Sequence, residues 1–276
     1  MPKQVRFEDL IQEYSQSPEW RSLRYATRRW QSRAVEKLTV LAESPLSEMR
    51  RRDLLAIRDE LIETPGVANQ VVTMARKLMQ FGVDREYVRS NPFAGIKALP
   101  VGERKRWPTE VVERALGESE YPIRLAILLA VYTAQRVGDI LTMKWDDYDG
   151  DTIHVIQAKT GVELWIPCFP KLRDELDREC ANASAEYMIH TRDGKRYSYE
   201  NFSTLLRRRL PWLTKEGWVF HGLRKSATAM LAEAGCTDRE IMAITGHKTT
   251  AMVSHYTREA DQKRRAKRAI HKLTEQ

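Results

Sequence analysis

Cysteine is scarce in this chain of 276 residues: Cys168, Cys180 and Cys236 are odd in number, widely spaced, and form no CxxC pair. That argues against a disulfide framework and a zinc site, and leaves buried, reduced thiols as the plain expectation. No window holds 18 consecutive apolar residues, so no membrane span is expected. The opening MPKQVRFEDL lacks the apolar core of a signal peptide, which reads as a cytosolic chain. The sequence has no phosphate-cradling P-loop, no low-complexity stretch, no visible repeat and no convincing acidic metal cluster.

What the chain does have is charge. Lys and Arg number 46 against 38 Asp and Glu, a formal net charge of +8. That excess favours a polyanionic partner such as nucleic acid, although charges of both signs are abundant and most must be solvated surface. A hydrophobic content of 42% suffices for a packed core. The length suits one large domain or two ordinary ones.

The first ninety-odd residues read as a compact unit of four or five helices. FEDLIQEYSQS, YATRRWQSRAVEKLTVLAE, LLAIRDELIE and VANQVVTMARKLMQFGV carry the helical period, with Pro65-Gly66 as a break. The Pro- and Gly-punctuated stretch Asn91 to Glu110 is a linker signal and carries the basic run Arg104, Lys105, Arg106. The boundary is placed near residue 100, giving domains 1–100 and 101–276.

Beyond it, TEVVERALGE and IRLAILLAVYTAQ read as helices. WDDYDGDTIHVIQAKTGVELWIP then changes period, with turns at Asp149-Gly150 and Lys159-Thr160-Gly161 that predict a three-stranded antiparallel meander. Helices resume in PKLRDELDREC, NFSTLLRRRL, LRKSATAMLAEAG, TDREIMAITG and EADQKRRAKRAIHKL. The fold class is therefore mainly α with a small antiparallel β-sheet. WDDYDGD is not a calcium loop, because Gly150 falls in the wrong place for an EF-hand.

Several short motifs bear chemistry. In HGLRKS, His221 and Arg224 sit three apart at a helix start, side by side. A converging His and Arg suit a phosphate, though taken alone the motif reads first as a surface pair. In TAQRVGDIL, Arg136 follows an apolar helix at the edge of the core, where Asp139 can orient it; a structural ion pair is the alternative. Lys159 of AKTG lies on a turn, where lysines are usually solvated. Gly246 reads as a helix C-cap with His247 just beyond, and Tyr256 follows nine residues later.

Singly these signals are weak. The ordered set Arg136, Lys159, His221, Arg224, His247 and Tyr256 resembles the tyrosine recombinases, the phage integrase family. TAQRVGDIL, AKTG, HGLR, TGH and HYT carry the resemblance, which is close over 104–276 and looser over the N-terminal helices. The family often has Gly at Ala134, Glu at Asp139, Leu at Thr245 and His at Arg258. Thr245 is read as a flanking packing position.

The resemblance implies a site-specific recombinase that cuts and rejoins DNA through a covalent 3′-phosphotyrosyl intermediate. Tyr256 is then the nucleophile, Arg136 and Arg224 the charge clamp, His221 the base, Lys159 the acid to the leaving 5′-oxygen, and His247 a donor to a non-bridging oxygen. Asp139 supports them. No cofactor or metal is implied. The N-terminal helices would clamp duplex DNA opposite the catalytic domain, with Arg28, Arg29, Arg33 and Arg50-Arg51-Arg52 as candidate phosphate contacts.

The expected partners are double-stranded DNA attachment sites, further copies of the chain in a tetramer, and accessory directionality or DNA-bending proteins. No membrane is expected, and the location is the bacterial cytoplasm at the nucleoid. The C-terminal helix, with Ala266, Ala269, Ile270 and Leu273 on one face, is expected not to build the active site itself and to dock on a neighbouring protomer. The chain leaves no room for an additional arm-binding domain before these helices, which fits a simple integrase or a truncated chain. His255 reads as non-catalytic, since adjacent helix residues diverge. The rivals are a chromosome-dimer-resolving recombinase, a topoisomerase-like enzyme, and a DNA-binding protein on the same fold that does not cut.

Overall fold

The computed structural model describes residues 5–274, apart from the side chains of 272 and 273. They fall into two compact units that divide between Glu103 and Arg104.

In the first unit, α1 (Phe7–Gln16), α2 (Pro18–Arg21), α3 (Tyr25–Leu38), α4 (Arg51–Glu60) and α5 (Pro65–Asp84) share one apolar core. In α5, Val71, Met74, Ala75, Leu78 and Met79 repeat at helical spacing and are fully buried. Pro65 opens this helix in its first turn, where a missing N–H breaks no bond. Asp53 accepts the Arg50 amide at 2.7 Å and so caps α4. Part of the basic run is structural: Arg51 donates to the carbonyls of Ala94 (2.6 Å) and Gly95 (2.9 Å), and Arg50 to those of Ser47 and Met49.

The second unit is built on α7 (Ile123–Thr133), which follows α6 (Thr109–Gly117) and is buried almost all round. A helix apolar on every face needs cover on every face. The chain supplies it with α6, α8 (Val137–Ile140), α9 (Pro170–Cys180) and α12 (Gly222–Glu233), and the strands β1 (Thr152–Ile156) and β2 (Glu163–Pro167) join the same core. After α9 come α10 (Tyr199–Arg209), α11 (Pro211–Lys215), α12, α13 (Asp238–Thr245) and α14 (Ser254–Thr274).

Among the described residues the sheet has two strands, antiparallel, with Ile153 opposite Ile166 and Val155 opposite Leu164. The expected third strand does not form. Trp145–Asp147 coils into a 3₁₀ turn instead, and Tyr148 makes only an isolated bridge to Ile153. The acidic side chains cause this. Asp147 accepts the Lys144 amide at 2.8 Å, and Asp149 accepts those of Asp151 (2.9 Å) and Thr152 (2.7 Å), so local bonds replace a ladder. All three cysteines are free thiols, but only Cys168 is buried; Cys236 is half-buried and Cys180 lies exposed at the end of α9. Among the described residues, no helix is long and apolar enough to cross a membrane.

Candidate active site

The end of α7 sets the first side chains. Ala134 stops the helix in the left-handed region (φ 55°), and its carbonyl accepts Arg224 Nη1 at 2.7 Å. The chain turns there, and Arg136 becomes the N-cap of α8. Arg136 Nη1 lies 3.7 Å from Asp139 Oδ2 and donates to Gln157 Oε1 at 3.0 Å. Asp139 is buried, and its other oxygen accepts the amide of Ala158 at 2.9 Å, next to Lys159. Thus Asp139 ties Arg136 to the turn between β1 and β2.

His221 and Arg224 enter on the first turn of α12. Gly222 between them allows the chain around Trp107 to lie against this helix start. A Cβ at 222 would stand 2.7 Å from Trp107 Cδ1 and closer still to the Lys105 carbonyl. Ser226 Oγ donates to the Trp107 carbonyl (2.8 Å), and Trp107 Nε1 to that of Val219 (2.9 Å), which fixes the arrangement.

Arg224 is buried, and its Nη2 has no hydrogen-bond partner. Burial first and the Arg136 charge second push its pKa down to about 10, while Asp139 and Tyr256 pull the other way. It keeps its charge at neutral pH. Two guanidinium groups face each other's field with one carboxylate between them, which is an environment that lacks negative charge.

Thr237 and Glu240 box the start of α13, and Gly246 (φ 67°) ends it in the left-handed region, as the C-cap pattern predicts. His247 follows directly. Its Nδ1 is 2.7 Å from Thr245 Oγ1, so Thr245 is more than packing: it is fully buried and holds the imidazole. With Thr245 as the donor to Nδ1, the ring proton sits on Nε2; with Thr245 as the acceptor, it sits on Nδ1. Burial, then Arg224, Arg136 and His221, hold the His247 pKa down to about 4. Burial, then Arg104, Arg224, Arg136 and Lys225, lower that of His221. Both histidines are neutral at pH 7.

Tyr256 stands in the first turn of α14, half-buried, against the small cluster of Ala232, Ile241, Val253 and Ala260. The C-terminal helix is therefore continuous with the tyrosine, contrary to the expectation that it takes no part in the site. Helix α14 packs on α12 of the same chain, and Thr257 Oγ1 donates to Asp238 at 2.6 Å. Further along, Ala266, Ala269 and Ile270 are exposed, and the Leu273 side chain lies outside the described residues. His255 is exposed, but its ring reaches Tyr256 (centroids 3.9 Å apart), so these neighbours do not diverge as adjacent helix positions were expected to. Both lie at the helix start.

Of the residues singled out by sequence, the mutual fields of Arg136, His221, Arg224 and His247, and that of Tyr256 on Arg224, gather five into one neighbourhood. Lys159 is exposed on its turn, which Asp139 ties to the others at Ala158 and Gln157 at Thr160. Sequence reasoning missed Gln135 and Gln157. One signal was present: the strand alternation Ile153, Val155, Gln157 puts an amide on the buried face, where it must find partners.

The model of the Phage integrase family matches residues 105–263. The chain belongs to that family. It is 28% identical over 233 residues to the integrase of Enterobacteria phage 434, a span covering 78% of this chain and 65% of that protein. The chain thus accounts for less than two thirds of that relative's length. Among solved structures it resembles a lambda integrase dimer bound to a COC′ core site, with a TM-score of 0.77 at 23% identity over 92% of this chain and 77% of that one. It also resembles a lambda integrase tetramer bound to a Holliday junction, with a TM-score of 0.75 at 23% identity over 89% of this chain and 78% of that one. At such identities the structural likeness establishes the fold alone.

Proposed function

We propose that this chain is a site-specific DNA recombinase of the integrase type, which cuts and rejoins strands through Tyr256 to integrate or excise a mobile element. The observation that carries the reading is the pair Arg136 and Arg224, with a buried, unpartnered Nη2, set beside two neutral histidines and a tyrosine. Such a site is short of negative charge, and a phosphodiester supplies it.

The chemistry follows from the same groups. Tyr256 Oη forms a bond to phosphorus, its proton passes to His221, and the P–O5′ bond breaks. The departing 5′-oxygen takes a proton from Lys159. Charge on the non-bridging oxygens rises in the transition state, where Arg136, Arg224 and the His247 N–H meet it. Losing either guanidinium should cost about 3–4 kcal/mol of barrier, by analogy with oxyanion donors. The lowered pKa of His221 keeps it unprotonated and able to accept, and the phosphate's charge then favours the imidazolium it becomes. Rejoining reverses each transfer, so the phosphodiester energy is conserved, and neither metal nor cofactor is assigned a role.

The first unit is assigned to clamping duplex DNA, and a tetramer on two duplexes to strand exchange, in the bacterial cytoplasm. The test is a nicked suicide duplex bearing the element's attachment site. A covalent adduct at the 3′-phosphate is expected, lost in Tyr256→Phe while DNA binding persists. An adduct that survives Tyr256→Phe refutes the nucleophile, and a chain that binds but never forms one is a binding protein.

A further inference from the structure

The side-chain amide of Gln157 joins the three segments that carry Arg136, Lys159 and His247. It is completely buried. Its Oε1 accepts from Arg136 Nη1 at 3.0 Å and from Thr160 Oγ1 at 2.7 Å. Its Nε2 donates to Gln135 Oε1 at 2.7 Å and to the Thr245 carbonyl at 2.8 Å. An amide has two donor hydrogens and two acceptor lone pairs, so every valence is used. Gln135 extends the network, donating to the carbonyls of Thr133 (2.7 Å) and Ile244 (3.0 Å). The amide also lies flat against Gly246, where a Cβ would come within 2.5 Å of Nε2.

We propose that Gln157 is a positioning residue that sets the Lys159 turn against Arg136 and the His247 segment. This rests on the active-site reading above. Lys159 is exposed at the tip of a short turn, on a long and freely rotating side chain. A proton donor so placed works only if the turn beneath it stays in register with the phosphate clamp. Backbone bonds close the turn on itself: Gln157 N–H donates to Val162 O and Gly161 N–H to Gln157 O, each at 2.8 Å. These say nothing about where the turn sits. The tethers that place it are Asp139 to Ala158 N–H, and Gln157 to Thr160 on one side and Arg136 on the other. A carboxylate at 157 would serve the two donors but face the Gln135 and Thr245 oxygens without protons. An apolar residue would serve none, so glutamine fits the position on chemical grounds.

The experiment compares suicide duplexes with an ordinary 5′-oxygen and with a 5′-bridging sulfur, which leaves as a thiolate and needs no proton. The full chain, Gln157→Met, Thr160→Val and Lys159→Ala are measured for DNA binding, thermal unfolding and adduct formation. Gln157→Met is expected to bind DNA normally and to cleave the oxygen substrate roughly a hundredfold more slowly, the scale of a small misplacement in an active site. Most of that loss should vanish on the sulfur substrate, as it should for Lys159→Ala. Thr160→Val removes one hydroxyl without stranding a buried amide. It should lose about tenfold and recover in the same way, and it carries the test should Gln157→Met fail to fold. Cleavage at the full chain's rate by the folded variants overturns the proposal. So does an equal defect on both substrates while Lys159→Ala is rescued. If the full chain forms no adduct, or sulfur does not rescue Lys159→Ala, the active-site reading itself fails and takes this proposal with it.

Discussion

At the scale of single residues, Ala134 shows two effects in balance. Its left-handed backbone costs an L-residue about 1–2 kcal/mol relative to glycine. Its methyl group is fully buried, worth about 1 kcal/mol, and glycine would add about 0.5–1 kcal/mol of unfolded-chain entropy. These offset, so Ala134→Gly should shift stability by less than about 1 kcal/mol in urea unfolding. Ala134→Val adds β-branching to the same strained backbone and should cost about 3 kcal/mol, with slower cleavage because the Arg224 contact moves. His247 gives a pH signature. Its folded pKa is about 4, against 6.5 for the free group. Above pH 6.5 neither state is protonated and the stability is present in full. As pH falls toward 4, the unfolded chain takes up a proton the folded chain refuses, and stability is lost by about 2 kcal/mol after allowance for solvent screening. His247→Gln should remove that part of the pH dependence between pH 7 and 4.5. Arg136, Lys159, His221, Arg224, His247 and Tyr256 were open to proposal from the sequence because order and spacing mark them. Gln135, Gln157 and Thr245 were not, because a neutral amide or hydroxyl gains its meaning only from partners distant in the chain.

At the scale of elements, α13 isolates what each end of a helix does. Thr237 Oγ1 and Glu240 form a reciprocal box at its start. Thr237→Ala should cost about 1 kcal/mol in thermal unfolding and slow cleavage only slightly, because Thr237 and Glu240 are exposed and the bond from Thr257 to Asp238 is left in place. At the other end, Gly246 is left-handed and pressed on the Gln157 amide. Gly246→Ala adds backbone strain of about 1–2 kcal/mol and displaces that amide, so it should lower both stability and cleavage. Equal loss of cleavage in the two variants would show that the helix as a whole, rather than its Gly246 end, supports the site. The helices and this C-cap could be read from period and turn chemistry. The third strand could not, because its run WDDYDGD matches a strand in length, and what decides is that Asp147 and Asp149 take the backbone amides for themselves. The helix whose period shows in EADQKRRAKRAIHKL starts earlier, at Ser254, because SHYTRE lacks an apolar period and is held by Val253 and Ala260 packing with Ala232 of α12.

At the scale of the whole molecule, each unit has its own apolar core, and the division falls in an exposed, Pro- and Gly-containing stretch. The fragment 104–276 is therefore expected to fold by itself in a single cooperative transition. A net charge of +8 suits the DNA binding proposed above, whose affinity should fall with salt, each phosphate contact contributing about 0.9 to the log–log slope. If the first unit clamps DNA, the full chain should show a steeper slope than the fragment, by the number of contacts that unit makes. Its basic residues divide in advance. Arg51 is occupied with the Ala94 and Gly95 carbonyls, so Arg51→Ala should lower the unfolding midpoint of the unit. Arg28 and Arg33 are exposed on α3, so Arg28→Ala and Arg33→Ala should leave that midpoint alone and reduce the slope by about one each. A full chain whose slope equals that of the fragment would remove the first unit from the DNA interface, and the source of its basic surface would then have to be sought in another partner.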